Sequence, residues 1–306
     1  MSGMSDLQPD PSMIGRIVKP PFAILPDPAA AFTQRAARFA ELAESGELAP
    51  YLRFLSGLCT VQAELSASLP PPAPLPPEQV ERARAGAMPP LDRKLLEKAP
   101  ELRDTIARFL EAVSALDMPP AAVEGLVALR VASPEGLDEM IGNVLADAFP
   151  FDALPQHLFL SAAVQVHASR LAATLEAERL VAVQVGLCPV CGGPPAGSIV
   201  SGRLGTENSR YACCAFCATQ WNEVRIKCLA CGSTKGIGYK SAEGEENAVI
   251  KAETCDSCRS WVKVLYQNRN PSLECIADDV GSLGLDLLMQ QTEYRRAGFD
   301  PFLIGY

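Results

Sequence analysis

Four Cys-x2-Cys pairs within a 71-residue stretch constrain this chain more than any other feature. They are Cys188/Cys191, Cys214/Cys217, Cys228/Cys231 and Cys255/Cys258, and they hold eight of the eleven cysteines. The first two pairs are separated by 22 residues and the last two by 23. A Cys-x2-Cys turn aims two sulfurs at one cation, and two such turns complete a tetrahedron of the kind zinc prefers; iron accepts the same ligand set. Gly192 and Gly232, each following the first pair of a site, suit knuckles that need left-handed backbone angles. Disulfides would require an oxidising compartment, and the polar N-terminus carries no signal-type apolar core. Isolated Cys-x2-Cys redox centres are also known, but four pairs with matched gaps favour two metal sites.

The region repeats itself. Cys188 to Cys228 spans 40 positions and Cys214 to Cys255 spans 41; Trp221 and Trp261, the two tryptophans of the chain, follow the second knuckle of each unit. Units this small lack a core of their own, so bound metal must supply stability that burial cannot. The tryptophans are expected to pack over the sites. Pairing within each repeat is the simple arrangement, with an interleaved, cross-braced one as the alternative. Cys213 adjoins Cys214 and is a second candidate for its place; regular spacing favours Cys214, leaving Cys213 as a spare thiol facing the other way. Serine in place of Cys188 or Cys228 is expected to strip metal from its repeat and loosen the ribbon, with the helical part surviving.

The rest of the chain reads as helical, giving an α+β fold: a flexible tail over 1–20, an all-α domain over 21–185, four-cysteine ribbons over 186–227 and 228–270, and a C-terminal helix and tail over 271–306. Phe32, Ala36, Phe39 and Ala43 share one helical face; Tyr51, Phe54, Leu55, Leu58 and Val61 share another. A stiff proline-rich connector follows at 69–77. Leu102, Ile106, Phe109, Leu110, Val113 and Leu116 form the clearest stripe. Helices are expected over Ala121–Val131 and Ser133–Ala148, with Ser133 as N-cap, and a long one from Pro155 to Val185. Strands are expected at Ser198–Leu204, Trp221–Ile226, Gly238–Ser241, Ala248–Ala252 and Trp261–Tyr266, with a hairpin tip at Gly244. Ile276, Val280, Leu283 and Leu287 mark a final helix whose acidic start, Asp278-Asp279, suits the helix dipole.

Charge narrows the functional classes. The net charge is −9. Between Cys188 and Asn270, ten Lys/Arg against seven Asp/Glu give +3, and two divalent four-thiolate sites add −4, leaving about −1. Nucleic-acid binding needs a basic footprint that this region lacks, although Arg225, Lys227 and Lys263 could form a local patch. No stretch reaches the roughly eighteen apolar residues of a membrane span. His157 and His167, ten residues apart, point roughly 80° apart on a helix and do not make a ligand pair. No nucleotide loop, nucleophile elbow or His-Glu-x-x-His motif occurs. Cys59 reads as a buried thiol, and Cys275 lies outside the repeats. A four-thiolate site is closed to substrate, so no catalytic residue or enzyme activity is assigned.

Taken together, the segments Leu187-Cys188-Pro189-Val190-Cys191-Gly192-Gly193-Pro194-Pro195, Cys214-x2-Cys217 with Trp221, Val224-Arg225-Ile226-Lys227-Cys228-x2-Cys231, Lys251-Ala252-Glu253-Thr254-Cys255-Asp256-x-Cys258 and Asp278-Asp279 leading to Asp300-Pro301-Phe302-Leu303 resemble the FdhE family, accessory proteins for formate dehydrogenase, over about residues 185–306, the helical half fitting in length and character only. The resemblance implies a cytoplasmic factor for assembly of respiratory formate dehydrogenase that binds its catalytic subunit. It also implies two rubredoxin-like iron sites on the eight paired cysteines, with zinc as the other candidate. A rubredoxin-like electron carrier or redox sensor is the alternative function, and a homodimer is among the assembly states left open.

Overall fold

The computed structural model describes residues 19–242 and 248–305. The expected tail, apart from Lys19 and Pro20, and the expected hairpin tip at Gly244 lie outside the described residues.

Among the described residues, eight α-helices occupy the N-terminal part: α1 (Pro28–Leu42), α2 (Ala49–Ser68), α3 (Pro77–Ala85), α4 (Arg93–Leu96), α5 (Pro100–Ala112), α6 (Pro120–Val131), α7 (Pro134–Leu145) and α8 (Leu154–Ala172). All of them except α4 carry proline at N1 or N2, where a missing N–H costs nothing because no carbonyl awaits it. Ser133 caps α7 as expected, its Oγ accepting from Gly136 N at 3.1 Å. α8 is the axis of the bundle, buried on every side from Phe159 to Ala172 and packed against α2, α5, α6 and α7. A helix buried all round leaves polar groups to be matched, and here the matching is partial: Gln62 Nε2 donates to Ala162 O and Gln165 Oε1, both at 2.8 Å, while Ser161 Oγ and Gln165 Nε2 have no hydrogen-bond partner among the described residues.

The long helix expected to reach Val185 stops at Ala172. The Thr174 hydroxyl donates to Leu171 O at 2.7 Å, satisfying a terminal carbonyl without another helical turn. Arg170 donates from Nη2 to Leu69 O and Pro70 O, fixing the extended proline connector onto the helix end.

His167 sits in this interior, 5% exposed. Burial, then the nearby Arg170 charge, pulls its imidazole down to about 4. Because the folded value lies below the unfolded one near 6.5, the unfolded chain binds the proton first, and stability falls as pH drops from about 6.5 toward 4. Over that window the loss from this residue should approach about 3 kcal/mol. His167→Gln should flatten that part of the stability curve, read as the urea midpoint against pH.

Among the described residues, the C-terminal part joins β1 (Ala23–Ile24), which precedes α1, in one sheet with β2 (Gly197–Val200), β3 (Arg210–Cys213), β4 (Gln220–Glu223), β5 (Ile237–Lys240), β6 (Ile250–Cys255), β7 (Ser260–Tyr266) and β8 (Arg295–Arg296), in the order β1-β4-β3-β2-β7-β6-β5 with β8 beside β7. Pairing is antiparallel except between β2 and β7 and between β7 and β8. Each repeat is knuckle, two strands, knuckle, strand. The parallel β2–β7 ladder, with Ser198 opposite Val264, fuses the two repeats into a continuous sheet. β3 and the short edges β1 and β8 were not legible in sequence: at two to four residues they are too brief to show a period.

The fusion is reinforced by Arg210, 1% exposed, which donates to Ser198 Oγ at 3.0 Å, Lys227 O at 3.0 Å and, from β3 across to β6, Glu253 Oε1 at 2.9 Å. Lys263 is equally buried, so Arg225, Lys227 and Lys263 form no basic patch; Lys227 instead pairs with Glu223 at 3.0 Å.

The last helix is two helices, α9 (Cys275–Gly281) and α10 (Leu283–Gln290). Ser282 breaks the run, its hydroxyl donating to Asp278 O at 2.6 Å, and the break turns Leu287 to the surface while Leu285 and Met289 enter the core. The dipole role expected of Asp278-Asp279 belongs to Glu274, which caps Ile276 N and Ala277 N. Asp278 pairs with Arg38 of α1 at 2.7 Å, and Asp279 with Lys263 of β7 and with Arg296.

Candidate metal centres

The eight paired thiols gather into two groups, Cys188/Cys191/Cys214/Cys217 and Cys228/Cys231/Cys255/Cys258, with the sulfurs of each group within 4.8 Å of one another. The pairing is therefore within repeats and not interleaved. Sγ–Sγ separations are 3.6 Å for Cys188–Cys217, 3.4 Å for Cys191–Cys214, 3.6 Å for Cys228–Cys258 and 3.7 Å for Cys231–Cys255. A tetrahedron with Zn–S of about 2.3 Å has an edge of about 3.8 Å, whereas a disulfide brings sulfurs to about 2.05 Å. The donor sets thus fit one tetrahedral cation each, of the kind zinc or iron supplies.

The knuckles are built alike. Gly192 and Gly232 have φ of +71° and +77°, and each returns its N–H to the first cysteine's carbonyl, at 2.9 and 3.0 Å. After the second pair, Ala218 and Arg259 also adopt positive φ, at +58° and +53°. That correspondence escapes a sequence reading because neither residue is a glycine. Backbone N–H groups reach sulfur at Cys217 N to Cys214 Sγ, 3.4 Å, and Ala230 N to Cys228 Sγ, 3.3 Å.

The surroundings differ. All four thiols of the first group are buried; in the second, Cys231 and Cys258 are exposed. The first group is bound into the helical part: Leu91 N donates to Val190 O at 2.9 Å, and Arg93 Nη2 lies 3.8 Å from Cys191 Sγ while its Nη1 holds Asp147 at 2.7 Å and its guanidinium covers Phe216 at 4.0 Å. Burial pushes Cys188 and Cys214 well up. At Cys191 burial acts the same way, but hydrogen bonds from Cys188, Cys214 and Cys217, together with the Arg93 charge, outweigh it and bring the thiol well down. In the second group burial raises Cys258, but the Ser260 hydroxyl, 2.9 Å away, and the neighbouring thiols outweigh it and lower the thiol to about 7. Four thiols this close cannot all ionise without a cation among them.

Arg93, 98 positions before Cys191, carried no sequence signal as a neighbour of the site. Trp221 shares the buried cluster containing the first four cysteines. Trp261 departs from expectation: it packs with Ala252, Leu285 and Met289 under the Arg296 guanidinium, so its cover belongs to α10. Cys213 faces the opposite side of β3, among Ile199, Tyr211, Leu265, Leu273 and Cys275. His157 and His167 are buried in α8 away from either group, and Cys59 is fully buried.

Comparison with known proteins agrees with this architecture. Three family models match in sequence: "FdhE, N-terminal" over 20–184, "FdhE, central domain" over 187–225 and "FdhE, C-terminal domain" over 226–303. The chain is 56% identical over 304 residues to the FdhE homolog of Rhizobium meliloti (strain 1021), covering 99% of both chains. It is 32% identical over 275 residues to protein FdhE of Escherichia coli (strain K12), covering 89% of this chain and 87% of the other. The crystal structure of the FdhE protein from Pseudomonas aeruginosa superimposes with a TM-score of 0.81 at 32% identity, over 94% of this chain and 99% of that one. By its sequence over nearly its whole length and by its fold, the chain belongs to the FdhE family.

Proposed function

We propose that this protein is a non-catalytic accessory factor for respiratory formate dehydrogenase, that it works in the cytoplasm, and that it docks on the enzyme's catalytic subunit with one metal ion in each four-cysteine group. The observation that carries the reading is the pair of closed four-thiol sets in a chain of this family. Cys188, Cys191, Cys214 and Cys217 would hold one ion, and Cys228, Cys231, Cys255 and Cys258 the other. Such sets leave no position for substrate, so the sites act through the surface they stabilise. Iron in them supplies a one-electron couple; zinc supplies structure alone. The working division of the chain stays at 21–185, 186–227, 228–270 and 271–306.

Tagged protein purified without oxygen should retain the formate dehydrogenase catalytic subunit from a cytoplasmic extract and contain two metal ions per chain by elemental analysis. Absence of association under those conditions would sink the accessory role. The exposure of Cys231 and Cys258 favours one second reading, an electron carrier or redox sensor, because an exposed iron site can meet a partner directly. It requires iron absorbance that bleaches reversibly on reduction; a colourless protein removes it.

A further inference from the structure

A cleft of about 210 Å³ opens between the N-terminal end of α1 and the sheet, beside the first four-cysteine group. Its rim carries exposed Asp27, Gln34 and Arg203, and its floor includes Cys213, Cys275 and Gln267, which are 4%, 5% and 6% exposed. Neither thiol belongs to a metal group. They come from different elements, the end of β3 and the start of α9, and share a small buried cluster; Cys275 Sγ lies against Gly197, the register partner of Cys213. Two acceptors at the same cleft lack donors: Gln267 Oε1 and Gln220 Oε1 are buried and unpartnered. The orientation at Gln267 is fixed, because its Nε2 donates to Leu273 O at 2.7 Å and only the oxygen is left over. A buried amide oxygen without a donor is costly and marks a place for one.

We propose that this cleft is a thiol–disulfide exchange site for a small disulfide bearing N–H donors, with Cys213 and Cys275 as the reacting pair and Gln220 and Gln267 as the groups that recognise the donors. In the first step one protein thiol attacks the ligand's S–S bond. A mixed disulfide forms and one small thiol leaves. In the second step the other cysteine attacks the mixed disulfide, closing Cys213–Cys275 and releasing the second small thiol. The protein loses two hydrogens and two electrons, and the ligand gains both as two thiols. The product ties β3 to α9. This inference goes beyond the accessory role and does not depend on it.

Cystamine, a disulfide with an ammonium at each end, is the probe. Metal-loaded full-length protein is incubated with it, metal content is measured, and thiols are mapped by alkylation in denaturant and mass spectrometry. The expected result is a Cys213–Cys275 cross-link with metal retained. Cys275→Ala should trap a cysteamine adduct on Cys213, and Cys213→Ala an adduct on Cys275. Gln220→Leu, which removes a buried acceptor of the cleft, should slow the reaction about tenfold. Both thiols remaining free, or a cross-link that forms only as metal is lost, would overturn the site. An unchanged rate in Gln220→Leu would overturn recognition by the amide oxygens.

Discussion

Cys188→Ser is expected to yield little or no folded protein, whereas Cys228→Ser should fold, stay soluble and keep one metal ion. The sequence treats the two repeats as equals, but the structure does not. All four thiols of the first group are buried in the cluster that also contains Leu91, Phe109, Phe159 and Ala162, so this site lies inside the main core. Structural four-ligand sites contribute about 10–16 kcal/mol in small domains, comparable with or above the roughly 5–15 kcal/mol net stability of a whole protein. Losing the first ion also leaves Arg93 facing thiols that can no longer all ionise. The second group has two exposed thiols and lies toward the far edge of the sheet, and its loss should fray β5 and the 228–231 knuckle. Far-UV circular dichroism, thermal melts and elemental analysis of the two variants check this. Equal behaviour of the two would show that burial does not rank the sites. A chelator titration should give the same order, with the second ion leaving first.

Lys263→Met is expected to cost about 3–5 kcal/mol, seen as a lower denaturation midpoint with the metal content intact. Lys263 is 1% exposed on β7, and its Nζ donates to Asp279 O at 2.6 Å, lies 3.0 Å from Asp279 Oδ1 in an ion-pair contact, and meets Asp286 as well. Arg296 completes the set on the same two carboxylates. Methionine fills similar volume but leaves two buried carboxylates sharing one guanidinium. The cost comes from charge left without its partner more than from the worth of the pair itself. Lys263→Met combined with Asp286→Leu should recover part of the loss, and a single variant within about 1 kcal/mol of the parent would show that the network contributes little.

Several elements were legible because their signal is local. The stripe from Leu102 to Val113 is buried as its period requires, and Ser133 caps its helix. Elsewhere, non-local bonds overrode the local pattern. The run from Pro155 to Val185 keeps an apolar character past Ala172, yet the helix ends where Thr174 and Arg170 find carbonyls to bond. The stripe Ile276–Leu287 breaks at Ser282, and Trp261 follows α10 instead of the metal group.

Cys-x2-Cys spacing marked eight thiols as candidates for two four-thiol sets, because a knuckle's geometry is fixed by the few residues it contains, but that the thiols gather within repeats and not interleaved was decided by the fold. Which set is buried, which residues surround it and how the repeats join were decided only in three dimensions. Those outcomes rest on Arg93 reaching Cys191, on β2 lying parallel to β7, and on Arg210 finding Glu253 across the sheet. Such contacts join residues far apart in the chain, and their energy depends on what the rest of the fold removes from water.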